Sequence, residues 1–96
     1  MGKSMRKPHY DRTYVTVTLT TDTTGSMRPE KVIWSDHRCY TVEAVKDFRP
    51  ARTVGNYPGD CYTIVIKGQI RQLFFERNNP INDSRPGRWY VLTPAT

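Results

Sequence analysis

The sequence has no apolar run approaching the roughly 20 residues of a membrane-spanning helix, and its basic start lacks the apolar stretch of a secretory signal. Histidine and cysteine are scarce, with two of each in 96 residues. Structural zinc sites usually show paired close ligands such as C-x2-C, whereas this chain has a single H-x-C, from His37 to Cys39. These absences predict a cytoplasmic protein with no membrane partner, no metal and no cofactor.

Groups of residues typical of a catalytic site are also missing. A nucleophilic Cys39 or Cys61 would need a base and an orienting third group, and the carboxylates are scattered, mostly beside basic residues. We therefore predict that the protein is not an enzyme. Each cysteine begins a predicted strand, and we expect two half-buried thiols. A disulfide is the alternative, because two strand starts can lie side by side.

The length and the distribution of charge predict one small domain with basic ends. A chain of 96 residues buries only about 60 to 65% of the surface exposed when it is unfolded, enough for a single core. Residues 1–12 hold four basic residues and one acidic residue, residues 13–66 hold six of each, and residues 67–96 hold five basic and two acidic ones. We predict a flexible basic arm over residues 1–11 and a single all-β domain over residues 12–94.

Alternation with a period of two is the main structural signal, and no segment shows helical periodicity. Val15, Val17 and Leu19 alternate with polar residues, as in a half-buried strand. The same reasoning predicts strands over residues 12–21, 31–35, 38–45, 61–67, 69–77 and 88–93. The predicted fold is a small antiparallel, partly open β-barrel of five or six strands, an SH3-like or OB-like roll.

Turn residues divide these strands. The first hairpin has a tip of three or four residues at Asp36-His37, and Lys67-Gly68 is typical of a two-residue turn. Residues 49–60 contain two prolines and two glycines, which predicts a long loop, and residues 78–87 predict a second one. The expected core consists of Val15, Val17, Leu19, Val32, Trp34, Tyr40, Val42, Tyr62, Ile64, Ile66, Leu73, Phe75, Trp89 and Val91.

Two kinds of partner fit a small basic barrel. Such barrels bind single-stranded nucleic acid through aromatic rings framed by basic side chains. Tyr14 is one candidate for stacking, and the residues that we expect to form this surface are Arg71, Phe74, Arg77, Arg85, Arg88 and Tyr90. In the alternative, the 49–60 loop docks a partner protein through Arg49, Arg52 and Tyr57. The same tyrosines could instead complete the core, with the arginines protecting strand edges.

Four segments also resemble a known group of sequences. They read W-S-D-H-R-C-Y-T-V, C-Y-T-I-V-I-K-G, L-F-F-E-R and G-R-W-Y-V, and together they span about residues 14 to 92. This pattern resembles a group of small uncharacterised bacterial proteins that read W-x-D-G-R-x-Y-x-[IV], R-Y-T-V-x-I-x-G, L-F-x-E and G-x-W-x-V. The resemblance implies the all-β fold and brings no activity. His37 stands where that group usually has glycine, which favours a looser hairpin tip.

Overall fold

A computed structural model describes residues 10–54, 57–78 and 85–94, and these residues form strands and no helix. The seven strands are β1 (Tyr10–Thr21), β2 (Met27–Ile33), β3 (Cys39–Thr41), β4 (Ala44–Val54), β5 (Tyr57–Ile66), β6 (Gln69–Arg77) and β7 (Gly87–Pro94). They form one antiparallel sheet in the order β3-β2-β1-β7-β6-β5-β4, which curls into a half-barrel. The predicted all-β class is confirmed, with seven strands instead of five or six.

The extra strand comes from a division of the predicted strand 38–45. β3 and β4 lie at opposite edges of the sheet but are separated in the chain only by Val42 and Glu43. Val42 N donates a hydrogen bond to Glu30 O, and Glu43 N donates one to Val65 O, each at 2.8 Å. These two residues therefore join the two edges of the curled sheet.

β1 links the two halves of the sheet. Its first part, from Tyr10 to Val15, pairs with β7, and its second part, from Thr16 to Thr21, pairs with β2. The strand begins at Tyr10, two residues before the predicted domain start. The rest of the predicted arm, residues 1–9, lies outside the described residues.

The predicted loop over residues 49–60 is wrong, because β4 and β5 continue through it as a paired hairpin. Pro50 has no N–H to donate, and it lies where the register shifts between Arg49 and Arg52. Gly59 has a φ of 139°, and a Cβ there would lie 2.8 Å from the carbonyl oxygen of Phe75. The proline and glycine residues therefore bend a strand pair instead of ending it. Residues 55 and 56 lie outside the described residues, as do residues 79–84 of the second predicted loop.

Two clusters of apolar side chains lie on opposite faces of the sheet. The concave face carries the predicted core, with six buried residues: Val32, Val42, Tyr62, Ile64, Leu73 and Val91. Other predicted core residues, including Trp34 and Trp89, are partly buried against them. The outer face carries a second cluster of Cys61, Phe74 and Tyr90, which was not expected. The choice of Phe75 over Phe74 for the core is wrong, since Phe74 is fully buried and Phe75 only partly.

Two hairpin turns have the predicted positions. Lys67 and Gly68 have φ angles of 51° and 72°, as a two-residue type I′ turn requires. At the first hairpin, Trp34 N donates to Arg38 O and His37 N donates to Trp34 O, each at 2.9 Å. His37 has a φ of 71°, a conformation in which glycine is the favoured residue.

Candidate nucleic-acid interface

Phe74 and Tyr90 are buried, so they cannot present a ring face to a nucleic-acid base. The two rings stack on each other, with centroids 4.9 Å apart and planes 6° apart, and each residue is 0% exposed. The hydroxyl of Tyr90 donates to the carbonyl oxygen of Pro58 at 2.5 Å, and burial raises the Tyr90 pKa to about 12. The β4-β5 hairpin thus covers both rings, and their predicted stacking role is corrected.

Arg77 is held by a buried carboxylate. Its Nε and Nη2 atoms lie 3.1 and 2.9 Å from Oδ2 of Asp60, which is 2% exposed. The other oxygen of Asp60 accepts a hydrogen bond from Ala51 N at 2.7 Å. Asp60 thus connects Arg77 at the end of β6 with Ala51, which lies at the register shift in β4. Arg77 therefore has a structural role.

Arg88 belongs to an outer arginine pair, Arg12 and Arg88, that shares one carboxylate. Arg12 Nη1 lies 2.9 Å from Glu76 Oε2, and Arg88 Nη2 lies 3.4 Å from Glu76 Oε1. Tyr14 donates its hydroxyl to Glu76 Oε1 at 2.8 Å, and the Arg88 guanidinium lies 4.0 Å from the Tyr14 ring centroid. A hydrogen bond from Arg12 to the Tyr14 hydroxyl raises the pKa of Arg12, and the negative charge of Glu76 raises it further.

The six predicted nucleic-acid residues do not form one surface. Arg71 lies near the start of β6 and Arg77 at its end, about 20 Å away along an extended strand. Arg71 is exposed, and its Nη2 donates to the side-chain oxygen of Gln69 at 2.8 Å. Arg85 is exposed in the bend before β7. The structure brings Phe74 and Tyr90 together, but inside the protein.

The residues predicted to dock a protein belong to the β4-β5 hairpin. Arg49 Nε lies 2.6 Å from Asp47 Oδ2 on the exposed edge strand β4. Tyr57 is half-buried, and its hydroxyl donates to the carbonyl oxygen of Tyr10 at 2.5 Å. Arg52 pairs through its backbone with Gly59, and its side chain lies outside the described part of the structure.

A groove of about 1260 Å³ opens at the end of the half-barrel where β6 begins and β7 ends. Trp34 and Tyr40 form one wall, with their ring centroids 6.4 Å apart in an edge-to-face arrangement. The Lys67 ammonium lies 5.2 Å from the Tyr40 ring centroid, and Arg71 also lines the groove. Both rings are half-buried. Sequence reasoning assigned Trp34 and Tyr40 to the core and Lys67 to a turn, and no local signal shows that the barrel is open here.

The groove exists because two adjacent strands separate. Within the residues described, the pairing of β6 with β7 stops at Leu73 and Val91. The first residues of β6 pair only with β5, and the last residues of β7 pair only with β1. Ile70 and Leu92 line the opening, and Ile70 is 69% exposed.

The charge of the groove is positive. Arg38 lines it but is paired with Asp36, whose Oδ2 lies 2.7 Å from Arg38 Nε. The hydrogen bond from the Arg38 backbone lowers the pKa of Asp36, and the side chain of Arg38 adds to this effect. Lys67 and Arg71 have no ion pair with any carboxylate among the described residues. The groove therefore has two exposed cations available to an anion.

Comparisons with known proteins give no relative: no family model, no curated protein and no solved structure matches this chain. The described residues include no helix that is long and apolar enough to span a bilayer. Nor do they contain a cluster of three or more side chains suited to binding a metal ion. The resemblance to the bacterial group stays a prediction.

Proposed function

We propose that this protein is a non-enzymatic module that binds single-stranded nucleic acid in the groove. One observation carries the proposal: two exposed cations, Lys67 and Arg71, lie beside the half-buried rings of Trp34 and Tyr40, and neither has a carboxylate partner in the part of the chain that the structure describes. Single-strand binding proteins use this combination of aromatic stacking and basic side chains. The proposal moves the predicted interface to the open end of the half-barrel and retains Arg71 from the predicted set.

Each group has a distinct task in the proposed complex. An unpaired base stacks against Trp34 or packs beside Tyr40, while Lys67 and Arg71 bind phosphates on either side. Bases in a duplex are already stacked inside the helix, so they cannot reach rings that are recessed in a groove. We therefore propose a preference for single strands over duplexes.

Two features of the whole chain support this function and its setting. The net charge is +6, which attracts a polyanion from a distance. Cys39 and Cys61 do not form a disulfide with each other, as is typical of proteins in a reducing compartment, and this supports the cytoplasm as its location.

Salt-titrated fluorescence anisotropy tests the proposal. Labelled 12-nucleotide single-stranded DNA and RNA, and a duplex of equal length, are titrated with the protein between 50 and 200 mM salt. The single strands should bind, and the double variant Lys67→Gln/Arg71→Gln should lower the slope of log K against log salt by about 1.4. Absence of single-strand binding at low salt, or an unchanged slope in this variant, would overturn the proposal.

A second double variant provides the matched control. Arg28→Gln/Lys31→Gln removes the same charge from β2, and both residues are exposed outside the groove. If the groove is the site, this control should change the slope by much less than the Lys67/Arg71 variant. Equal effects of the two variants would show attraction by net charge alone.

A protein partner is the second candidate function. Phe48 is 45% exposed on β4 and Arg49 is also exposed, so this edge strand presents an aromatic side chain on one face of the sheet and a basic side chain on the other. Docking through such an aromatic anchor would depend little on salt. Loss of partner binding in Phe48→Ser, with single-strand binding absent at low salt, would favour this candidate.

A further inference from the structure

We propose that the bound strand continues from the groove onto the outer arginine pair, so that the ligand occupies two phosphate-binding regions. This inference rests on the proposed function and extends its site. The groove reaches the outer face at Leu92 and Tyr57, and Leu92 is the cross-strand partner of Arg12. Arg88 lies on the same face of β7, four residues from Leu92 or about 13 Å along the strand.

The outer arginine pair is arranged to bind more than its own carboxylate. Arg12 donates to Glu76 and to the Tyr14 hydroxyl through Nη1, and Arg88 donates to the same two groups through Nη2. The other guanidinium nitrogens of both side chains have no acceptor within the described residues. A guanidinium has five N–H donors, so several on each side chain can still bind phosphate. The side chains are 32% and 59% exposed, which makes these donors accessible.

Aromatic rings hold both guanidinium groups in place before any ligand binds. Arg88 lies 4.0 Å from the Tyr14 ring centroid, and Arg12 lies 5.2 Å from the Tyr90 ring centroid. Because Glu76 is a single carboxylate between two arginines, the group retains one net positive charge. Glu76 thus lowers the affinity for an anion while it keeps the arginines at a fixed separation.

Opposite effects of two single substitutions test this inference. Binding is measured with 4-nucleotide and 12-nucleotide single strands, because small barrels contact about 4 to 16 nucleotides. Arg88→Gln should weaken the 12-nucleotide strand about fivefold at 0.1 M salt and lower its salt slope by about 0.7. Glu76→Gln should tighten the same strand by a similar factor, since it releases both arginines. The 4-nucleotide strand, which fits in the groove, should respond to neither substitution.

A purely structural role predicts a different pattern, because both substitutions break the same ion pairs and would then both weaken binding. Arg49→Gln is the control, since Arg49 is also exposed and paired with a carboxylate but lies three strands away from β7. Weaker or unchanged binding by Glu76→Gln, or an unchanged slope in Arg88→Gln, would overturn the inference. The proposed function would survive that result if Lys67→Gln/Arg71→Gln still lowered the slope. If neither strand binds at low salt, the proposed function itself fails.

Discussion

The hydroxyl of Tyr90 on β7 and the carbonyl oxygen of Pro58 on β5 are joined by a hydrogen bond of 2.5 Å. These strands are not neighbours, since β6 lies between them. The bond therefore crosses over the outer face, where the bent β4-β5 hairpin covers the stacked rings of Phe74 and Tyr90. It converts a potential binding surface into a second core.

Tyr90→Phe should alter the dependence of stability on pH. Burial raises the Tyr90 pKa to about 12, while a tyrosine in the unfolded chain ionises near pH 10. Above pH 10 the Tyr90 hydroxyl ionises in the unfolded chain but stays protonated in the folded protein. The free energy of unfolding should therefore fall by about 2 to 3 kcal/mol between pH 10 and 12. Urea unfolding measured from pH 8 to 12 should show a smaller fall for Tyr90→Phe. Parallel curves for the two proteins would contradict the prediction.

Asp60→Ala should destabilise the fold by about 2 to 3 kcal/mol, because a buried charged acceptor holds both Arg77 and the backbone of Ala51. Urea denaturation at pH 7 measures the change. The control is Asp47→Ala, which removes an exposed carboxylate paired with Arg49 and should cost far less. Similar losses in the two variants would show that burial of Asp60 adds nothing.

His37→Gly should stabilise the protein by about 0.5 to 1 kcal/mol. His37 is exposed with a φ of 71°, where a side chain is strained, and glycine relieves this strain at some cost in unfolded-state entropy. Gly68→Ala is the converse experiment, since Gly68 has a φ of 72° with open space around it. It should lower stability by about 1 kcal/mol. Thermal unfolding measures both changes. A lower Tm for His37→Gly and a higher Tm for Gly68→Ala would contradict this reasoning.

Trp34 should report binding by fluorescence, and Trp89 should not. Trp34 lines the groove, whereas Trp89 packs between Tyr62 and Phe75 at ring-centroid distances of 5.4 and 4.8 Å. Quenching by a single-stranded oligonucleotide should therefore disappear in Trp34→Phe and persist in Trp89→Phe. Persistent quenching in Trp34→Phe would place the bound bases elsewhere.

One thiol per chain should react with a disulfide reagent under native conditions, and two after denaturation. Cys39 is exposed at the start of β3, whereas Cys61 is buried in the middle of β5. The expectation of two half-buried thiols was therefore wrong in both positions. Cys39→Ser should leave no thiol that reacts in the native protein, and fast labelling of that variant would mean that Cys61 is accessible.

Local signals account for the parts of the fold that sequence reasoning predicted. The alternation around Val15 and Val17 identifies β1, and Lys67-Gly68 identifies the β5-β6 turn, because each depends only on neighbouring residues. The hairpin over residues 49–60 was missed because Pro50 and Gly59 usually end strands. Here they lie at a register shift and a close backbone approach, which depend on the partner strand.

The candidate site was harder to predict than the fold, because it depends on contacts between distant residues. Leu73-Phe74-Phe75 is apolar on both faces, and only the missed hairpin decides that Phe74 is covered. Arg77 and Arg88 look like available cations in the sequence, but Asp60 and Glu76 pair with them across the sheet. Trp34 and Tyr40 look like ordinary core residues until the separation of β6 from β7 exposes them.

The strand order also dictates when the protein can fold. β1 and β7 are neighbours at the centre of the sheet, and Tyr10 pairs with Pro94. While the chain is being synthesised, the first half of β1 has no partner strand until β7 has been made. Such distant pairing slows folding, so we expect the domain to fold late and as one unit, after β7 has left the ribosome.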